Sequence, residues 1–444
     1  MPLDGHWPVV VIGGGQAGLS MSFCLKQRGI DHLVLEKRTP GCDWRDRRWD
    51  TFCLVTPNWQ CDLPGFPYQG PDPHGFMVRE QIVDYLDQYV KSFDPPLAEG
   101  TAATRLRQRP RGRFEVATSR GVISADQVVV ATGPYQVPVI PRIAERLPDD
   151  ITQLHSADYR NPAMLPPGAV LVVGTGQSGC QIAEDLHLAG RAVHLATGSA
   201  PRVARFYRGR DVVDWLSDMG YYARGIDKFD DADAVRFRAN HYVTGRDGGR
   251  DIDLRAFARD GMRLYGRLAS IRGPAAEFTG DLRANLDRAD AVSQSIKDSI
   301  DAYIDAHDVT APAEPRYRPV WEPPDEPAEP AGLDLTAAGI AAVIWSTGFG
   351  RDCRWIEVPI FDGRGYPTHQ RGVTSCEGLY FLGLPWQYTW GSGRFCGVGA
   401  DARYLAAQIA AGPLHQVPWL AGTRASTWPR AEETSDWIAP RTVA

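Results

Sequence analysis

Apolar residues along the chain fall into short unbroken runs that alternate with longer stretches of helical spacing. Pro8-Val9-Val10-Val11-Ile12, Leu33-Val34-Leu35, Val128-Val129-Val130, Ala169-Val170-Leu171-Val172-Val173 and Ala342-Val343-Ile344-Trp345 are continuous and largely β-branched. Strands covered on both faces of a parallel sheet read this way, whereas half-exposed strands alternate. Between them, Ala17 to Arg28, Ser178 to Ala189 and Gly397 to Ala411 carry helical patterns, as does the stripe Ile82, Leu86, Tyr89, Val90. Gly29 and Gly190 stand where the first two of these helices should end. Leu282, Leu286, Ala289, Ile296, Ile300 and Tyr303 lie close to one face and predict a long covering helix from Asp281 to Ala306. Phe114-Glu115-Val116 and Val122-Ile123 predict a hairpin. Strand alternating with helix makes the fold class α/β.

The first and fourth runs each lead into Gly-x-Gly-x-x-Gly, as Gly13-Gly14-Gly15-Gln16-Ala17-Gly18 and Gly174-Thr175-Gly176-Gln177-Ser178-Gly179. The pattern alone is weak in a chain with 45 glycines among 444 residues, but here both copies follow a strand and open a helix. In that context the first glycine turns the chain, the second admits a pyrophosphate and the third lets helix lie against strand. Two strand-Thr-Gly segments, ending at Gly133 and Gly348, duplicate as well. The expected architecture is two dinucleotide-binding, Rossmann-like domains with a helical insertion. Residues 1–165 and 332–444 form the first domain, and 166–331 the second, with the insertion at about 206–310 and a proline-rich return linker.

Eighteen residues after Gly18 stands Glu36, placed to accept hydrogen bonds from a ribose diol; eighteen after Gly179 stands Thr197. No carboxylate there repels a 2′-phosphate, and Ser199, Arg202 and Arg205 follow, so the second site is expected to take NADPH. The loop from Gly41 to Tyr68 is rich in tryptophan and arginine, with Trp44 and Asn58 its candidates for contact with a flat heterocycle. Gly133, Gly383 and Arg394 belong by position to the first site, the last two framing a helix N-terminus that favours negative charge. Tyr207 to Asp211 and Thr244 to Asp251 are polar loops that either reach the nicotinamide or substrate or remain solvated turns.

A net charge of −6 and the lack of any long basic block argue against nucleic acid or anionic lipid as partners, and favour a small-molecule substrate. No apolar stretch approaches the roughly 20 residues of a membrane span, and the N-terminus lacks a signal-peptide pattern, so a cytoplasmic protein is expected. The eight cysteines show neither Cys-x-x-Cys nor zinc spacing, which predicts no metal and no redox dithiol.

With these motifs the chain resembles the class B flavin-dependent monooxygenases, the superfamily of flavin-containing monooxygenases, Baeyer-Villiger enzymes and N-hydroxylases. It is most similar to a bacterial group of flavin-dependent oxidoreductases found near nitrilase genes. The resemblance runs from Val9 to about Ala411. It implies FAD at Gly13, Gly15, Gly18, Glu36 and Gly383, NADPH at Gly174, Gly176 and Gly179, and Asn58 near the oxygen-reacting face of the flavin. His155 and Tyr159 match the second half of the family signature, while Asp149 and Ile151 replace its first half. The implied reaction has NADPH reduce FAD, O2 add to form a C4a-(hydro)peroxide, and that species oxygenate a nitrogen, sulfur or carbonyl substrate. A homodimer is compatible with this. Two other readings stay open: an NADPH oxidase or dehydrogenase, and a nucleotide-sensing regulatory protein.

Overall fold

The computed structural model describes residues 5–110, 113–324 and 331–412. Ten strands build the parallel parts of two sheets, the first of which carries four further, antiparallel strands. In chain order the ten are β1 (Gly5–Ile12), β2 (His32–Leu35), β3 (Leu97–Ala98), β4 (Gly121–Val130), β5 (Thr152–His155), β6 (Ala169–Val173), β7 (Val193–Ala196), β8 (Arg263–Tyr265), β9 (Ile340–Trp345) and β10 (Leu379–Phe381). Four helices matter for the site: α1 (Gln16–Lys26), α2 (Gln177–Leu188), α3 (Leu282–Ala306) and α4 (Val398–Ala411).

The first sheet has the parallel order β10-β4-β1-β2-β3, and the second β5-β9-β6-β7-β8. Each fingerprint strand is central, and the strand-Thr-Gly segment lies beside it in both sheets. Ile12 stands opposite Leu35 and Val130, and Val173 opposite Ala196 and Trp345, so the carboxyl ends of each sheet are level. The apolar runs are continuous because both faces are covered: every residue of β2, β6 and β7 is buried.

The third glycines set the approach of helix to strand. A Cβ on Gly18 would lie 1.8 Å from the Gly13 carbonyl oxygen, and one on Gly179 1.9 Å from that of Gly174. The first glycines are equally confined, against the carbonyl oxygens of Ala131 and Ser346. These two oxygens belong to the residues just before Thr132-Gly133 and Thr347-Gly348, so the strand-Thr-Gly segment packs on the first glycine in both units.

Strand pairing bears on how the two units are laid out. Strand β5 (Thr152–His155) pairs with β9 (Ile340–Trp345), and β9 with β6, so the second sheet takes in strands on both sides of residues 166–331. Strand β8 pairs with β7, so the sheet resumes at Arg263, inside the segment expected to be a continuous insertion from 206 to 310. Short strands with few residues, such as the three of β8, give too weak a periodicity to be seen in sequence. The hairpin at Phe114 is present, but its second arm runs on without a break into Val128–Val130, as the ten-residue β4. Residues 325–330 of the proline-rich linker and the end of the last domain, 413–444, lie outside the described residues.

The two units are joined by buried polar contacts. Asp185, on α2, accepts hydrogen bonds from Thr51 Oγ1 at 2.7 Å and Tyr159 Oη at 2.7 Å, and pairs with Arg246 at 2.9 Å. His155 contacts the Gly348 carbonyl at 2.9 Å and stands edge-on to Phe349. The two residues of the partial signature thus brace the segment between the units. Because the methyl group cannot move away from a backbone oxygen, Gly18→Ala should destabilise by about 3 kcal/mol or more, the upper range for overpacking. Gly280→Ala, with nothing within 4 Å of its added Cβ, is the matched control. Thermal melts check this, with a lowered midpoint expected for Gly18→Ala alone.

Candidate active site

Both fingerprint turns open on one cavity of about 810 Å3 at the carboxyl ends of the two sheets, where open α/β sheets bind ligands. Gly15, Gln16 and Ala17 line it from the first turn, and Gly176, Gln177 and Ser178 from the second. These are the N-termini of α1 and α2, so unpaired N–H groups and the positive ends of both helix dipoles face the cavity. A Cβ on Gly15 or on Gly176 would meet nothing within 4 Å. The second glycines therefore leave space that no protein atom fills, where the other two glycines of each motif are locked against backbone.

Glu36 lines the same cavity. Its Oε2 accepts from the Gly14 N–H at 2.7 Å, and its Oε1 from the Arg38 N–H at 2.8 Å and the Cys42 thiol at 3.9 Å, so the carboxylate is fixed while Oε2 keeps a lone pair for a ribose hydroxyl. Gly133 and Gly383 also line the cavity, Gly383 at φ +88° with its added Cβ 2.7 Å from that of Ala17. Trp44 stacks on Phe395 with ring centroids 5.5 Å apart and donates from its indole nitrogen to Gln16 Oε1 at 2.9 Å. This donor set and the open cradle fit an FAD.

Two residues that sequence reasoning passed over hold the site together. Gln16 bridges Trp44 to the Gly393 carbonyl, which its Nε2 reaches at 3.2 Å. Gln177, at the same place in the second motif, donates to the Val243 carbonyl at 2.6 Å and accepts from the Val243 N–H at 3.3 Å. The signal was available: glutamine follows the second glycine in both copies. The insertion adds Tyr221, Tyr222, Asn240 and His241 to the lining; burial pulls the His241 pKa down to about 4, so its ring is neutral at pH 7.

Other expected site residues are engaged within the protein. Asn58 does not reach the cavity; its Nδ2 donates to the Asp72 carbonyl at 2.9 Å and its Oδ1 accepts from the Met77 N–H at 2.7 Å, so it shapes the loop whose Leu54, Val55 and Thr56 do line it. Arg202 is buried and bonds Asp290 of α3 at 2.6 Å, beneath the Tyr317 ring. Arg205 lines the cavity, but its guanidinium bonds Asp211 and the Val55 carbonyl, each at 2.6 Å. Neither arginine is therefore a free phosphate fork: Asp290, 88 positions away, holds Arg202, and Asp211, six residues on, holds Arg205. Thr197 is buried and donates to the Tyr265 carbonyl at 2.8 Å, while Ser199 is exposed beyond the strand end. No acid replaces Glu36 there. The loops Tyr207–Asp211 and Thr244–Asp251 do not line the cavity.

The family model for pyridine nucleotide-disulphide oxidoreductases matches residues 10–218. A CzcO-like oxidoreductase of Geobacillus kaustophilus is 34% identical over 405 residues, covering 90% of this chain and 97% of that protein. The chain belongs to the CzcO-type oxidoreductases. A flavin-containing monooxygenase from Stenotrophomonas maltophilia has the same fold at 22% identity, with a TM-score of 0.61 over 92% of this chain and 99% of that one. An ornithine N-hydroxylase from Kutzneria sp. 744 aligns at 17% identity and a TM-score of 0.57, over 91% and 99%. The fold is thus that of FAD- and NAD(P)-binding flavoprotein monooxygenases.

The eight cysteines of this oxidoreductase are free thiols. Two of them, Cys42 and Cys396, line the cavity, and burial pushes both thiols up to about 11. A thiol so far above neutrality is a poor nucleophile. No group of side chains that could hold a metal ion occurs among the described residues.

Below the second turn, the Thr244–Asp251 loop docks on an acidic pair of α2. Arg246 holds Asp185, and Arg250 lies 2.9 Å from Glu184 Oε1, at an angle that leaves this ion pair without a hydrogen bond. Burial raises the Glu184 pKa to about 7 against the pull of Arg250, Arg246 and the Thr244 hydroxyl. Folding therefore takes up a proton at Glu184 between its ordinary value of 4.5 and about 7. The stability it contributes is full below that window and is lost as pH rises through it. Melting temperatures of wild type relative to Glu184→Gln should fall from pH 5 to 7 and then level; a difference independent of pH contradicts the assignment.

Proposed function

We propose that the chain is an FAD- and NADPH-dependent monooxygenase that oxygenates a small nucleophilic substrate with O2. The observation that carries this reading is the shared cavity: Gly15 and Gly176, the two open pyrophosphate cradles, face the same space. A dinucleotide on each cradle can bring its redox ring to the other's. FAD supplies, when bound, the chemistry that no side chain here offers, acceptance of a hydride and passage of electrons to O2.

The chain's own part is to bind, orient and exclude water. Glu36 and the α1 N-terminus hold the first nucleotide, and the α2 N-terminus the second. The absence of an acid at Thr197 removes repulsion from a 2′-phosphate, which supports NADPH over NADH, although Arg202 and Arg205 are committed elsewhere. The aromatic wall of Trp44, Phe395, Tyr221 and Tyr222 keeps the cavity apolar. The curated relatives also include a protein described as a probable indole-3-pyruvate monooxygenase of Arabidopsis thaliana, 28% identical over 40% of this chain and 43% of its own length.

The test is NADPH-driven O2 uptake by the FAD-loaded protein, screened against amines, sulfides and ketones with isotopically labelled O2. A substrate should accelerate NADPH use and emerge carrying labelled oxygen. If every substrate leaves all electrons in H2O2 the protein is an oxidase, and if one is reduced without O2 it is a dehydrogenase; a protein that takes up no FAD would be a nucleotide sensor.

A further inference from the structure

Four arginines line the cavity among the described residues. Arg205 faces Asp211, Arg47 lies 3.6 Å from Asp43, and Arg48 is folded over the Trp44 and Phe52 rings beside the first glycine motif. Arg394 lines the cavity half-buried, yet no carboxylate lies within 4 Å of it among the described residues. Its guanidinium is held instead by neutral acceptors, donating to the Trp390 carbonyl and, at 2.8 Å, to Asn240 Oδ1. Its guanidinium carbon lies over the Trp390 indole, 3.8 Å from the ring centroid. These contacts fix the fork without neutralising it, and a fixed planar guanidinium in a partly desolvated cavity is suited to bind a carboxylate.

The direction of the side chain separates it from the flavin. Its two neighbours turn toward the first glycine motif: the Gly393 carbonyl takes the Gln16 amide, and Phe395 stacks on Trp44. Arg394 itself reaches across to Asn240, in the insertion. On that side Tyr222 and Trp390 lie with centroids 4.8 Å apart, next to Tyr221. The charged groups acting on the Tyr221 hydroxyl are Arg394, Arg238 and Arg224, all cationic. Aspartates near this end are engaged elsewhere or further off, Asp211 with Arg205 and Asp231 at a helix N-terminus.

The geometry points to a substrate with a flat apolar body and a carboxylate, the body against Tyr221, Tyr222 and Trp390 and the carboxylate on Arg394. The inference deepens the monooxygenase reading above and rests on it for the word substrate. It also moves Arg394 from the flavin, where sequence position put it, to the substrate. The nucleotide phosphates are the other source of anionic groups in the cavity, and the experiment separates them.

Oxidised, FAD-loaded protein is titrated with phenylacetate, phenylacetamide and phenethylamine, read by calorimetry and by the flavin difference spectrum. Phenylacetate should bind about tenfold or more tighter than the amide, the worth of one charge-assisted contact, and the amine weakest. Its affinity alone should fall with added salt in the wild type, a readout that needs no variant. Arg394→Met should abolish the preference for acid over amide, leaving FAD content and NADP+ affinity unchanged. Equal binding of acid and amide by the wild type, a preference that survives in Arg394→Met, or a loss that falls on FAD or NADP+ would overturn the assignment. Since these titrations need neither NADPH nor O2, failure of the oxygenation reading would show separately.

Discussion

The contact on which the rest depends is the one between the third glycine of each fingerprint and the carbonyl oxygen of the first. At less than 2 Å from a would-be Cβ, it admits no other residue. That contact draws the first turn of each helix onto the carboxyl end of its strand, so that the helix N-terminus points outward along the sheet rather than across it. Level strand ends then make a crevice in each unit, and the segment of chain between Thr152 and Arg160 turns one crevice toward the other. A cavity with two dipoles converging on it costs nothing further in design: it is what two copies of this packing, set face to face, must enclose.

Around that cavity the protein spends most of its arginines on itself. Arg202 and Arg255 converge on Asp290 of α3, Arg205 on Asp211, and Arg246 and Arg250 on the neighbouring acids Asp185 and Glu184 of α2. Buried pairs of this kind are strongly destabilising when one partner is removed and add little otherwise, so their value here is in placing segments far apart in sequence. The long helix α3 and the polar loops of the insertion are fastened to the second sheet through them. Arg394 differs from these: it lines the cavity and is held by the Trp390 carbonyl and Asn240 rather than by a carboxylate.

What was legible in the sequence follows from the range of the interaction. The glycine motifs, Glu36, the buried strands and α3 are set by neighbours within about one strand-turn-helix unit, and pattern reads them well. The duplication of the strand-Thr-Gly segments was visible too, and in the structure each packs on a first glycine, through Ala131 and Ser346. Asp290, which holds Arg202, comes from 88 positions away and no local pattern shows it, whereas the Asp211 carboxylate that holds Arg205 stands only six residues on, with the Val55 carbonyl 150 positions away. Asn58 stands among aromatic residues, and its amide bonds backbone groups of its own loop, the Asp72 carbonyl and the Met77 N–H. The three-residue β8, and the edge strand β5 that precedes its own sheet in the chain, carry no periodicity long enough to assign.

The central claim is that the two open glycines cradle different nucleotides in one cavity, with electrons passing from the second to the first. The most direct measurement compares Gly15→Ala and Gly176→Ala, since in the protein alone both methyl groups enter free space. Each should melt as the wild type does without cofactor. Gly15→Ala should purify with little FAD, whereas Gly176→Ala should keep its FAD and show weakened NADPH binding, with slower bleaching of the flavin when NADPH is added without O2. Loss of FAD from Gly176→Ala, or unimpaired bleaching in it, would contradict the account.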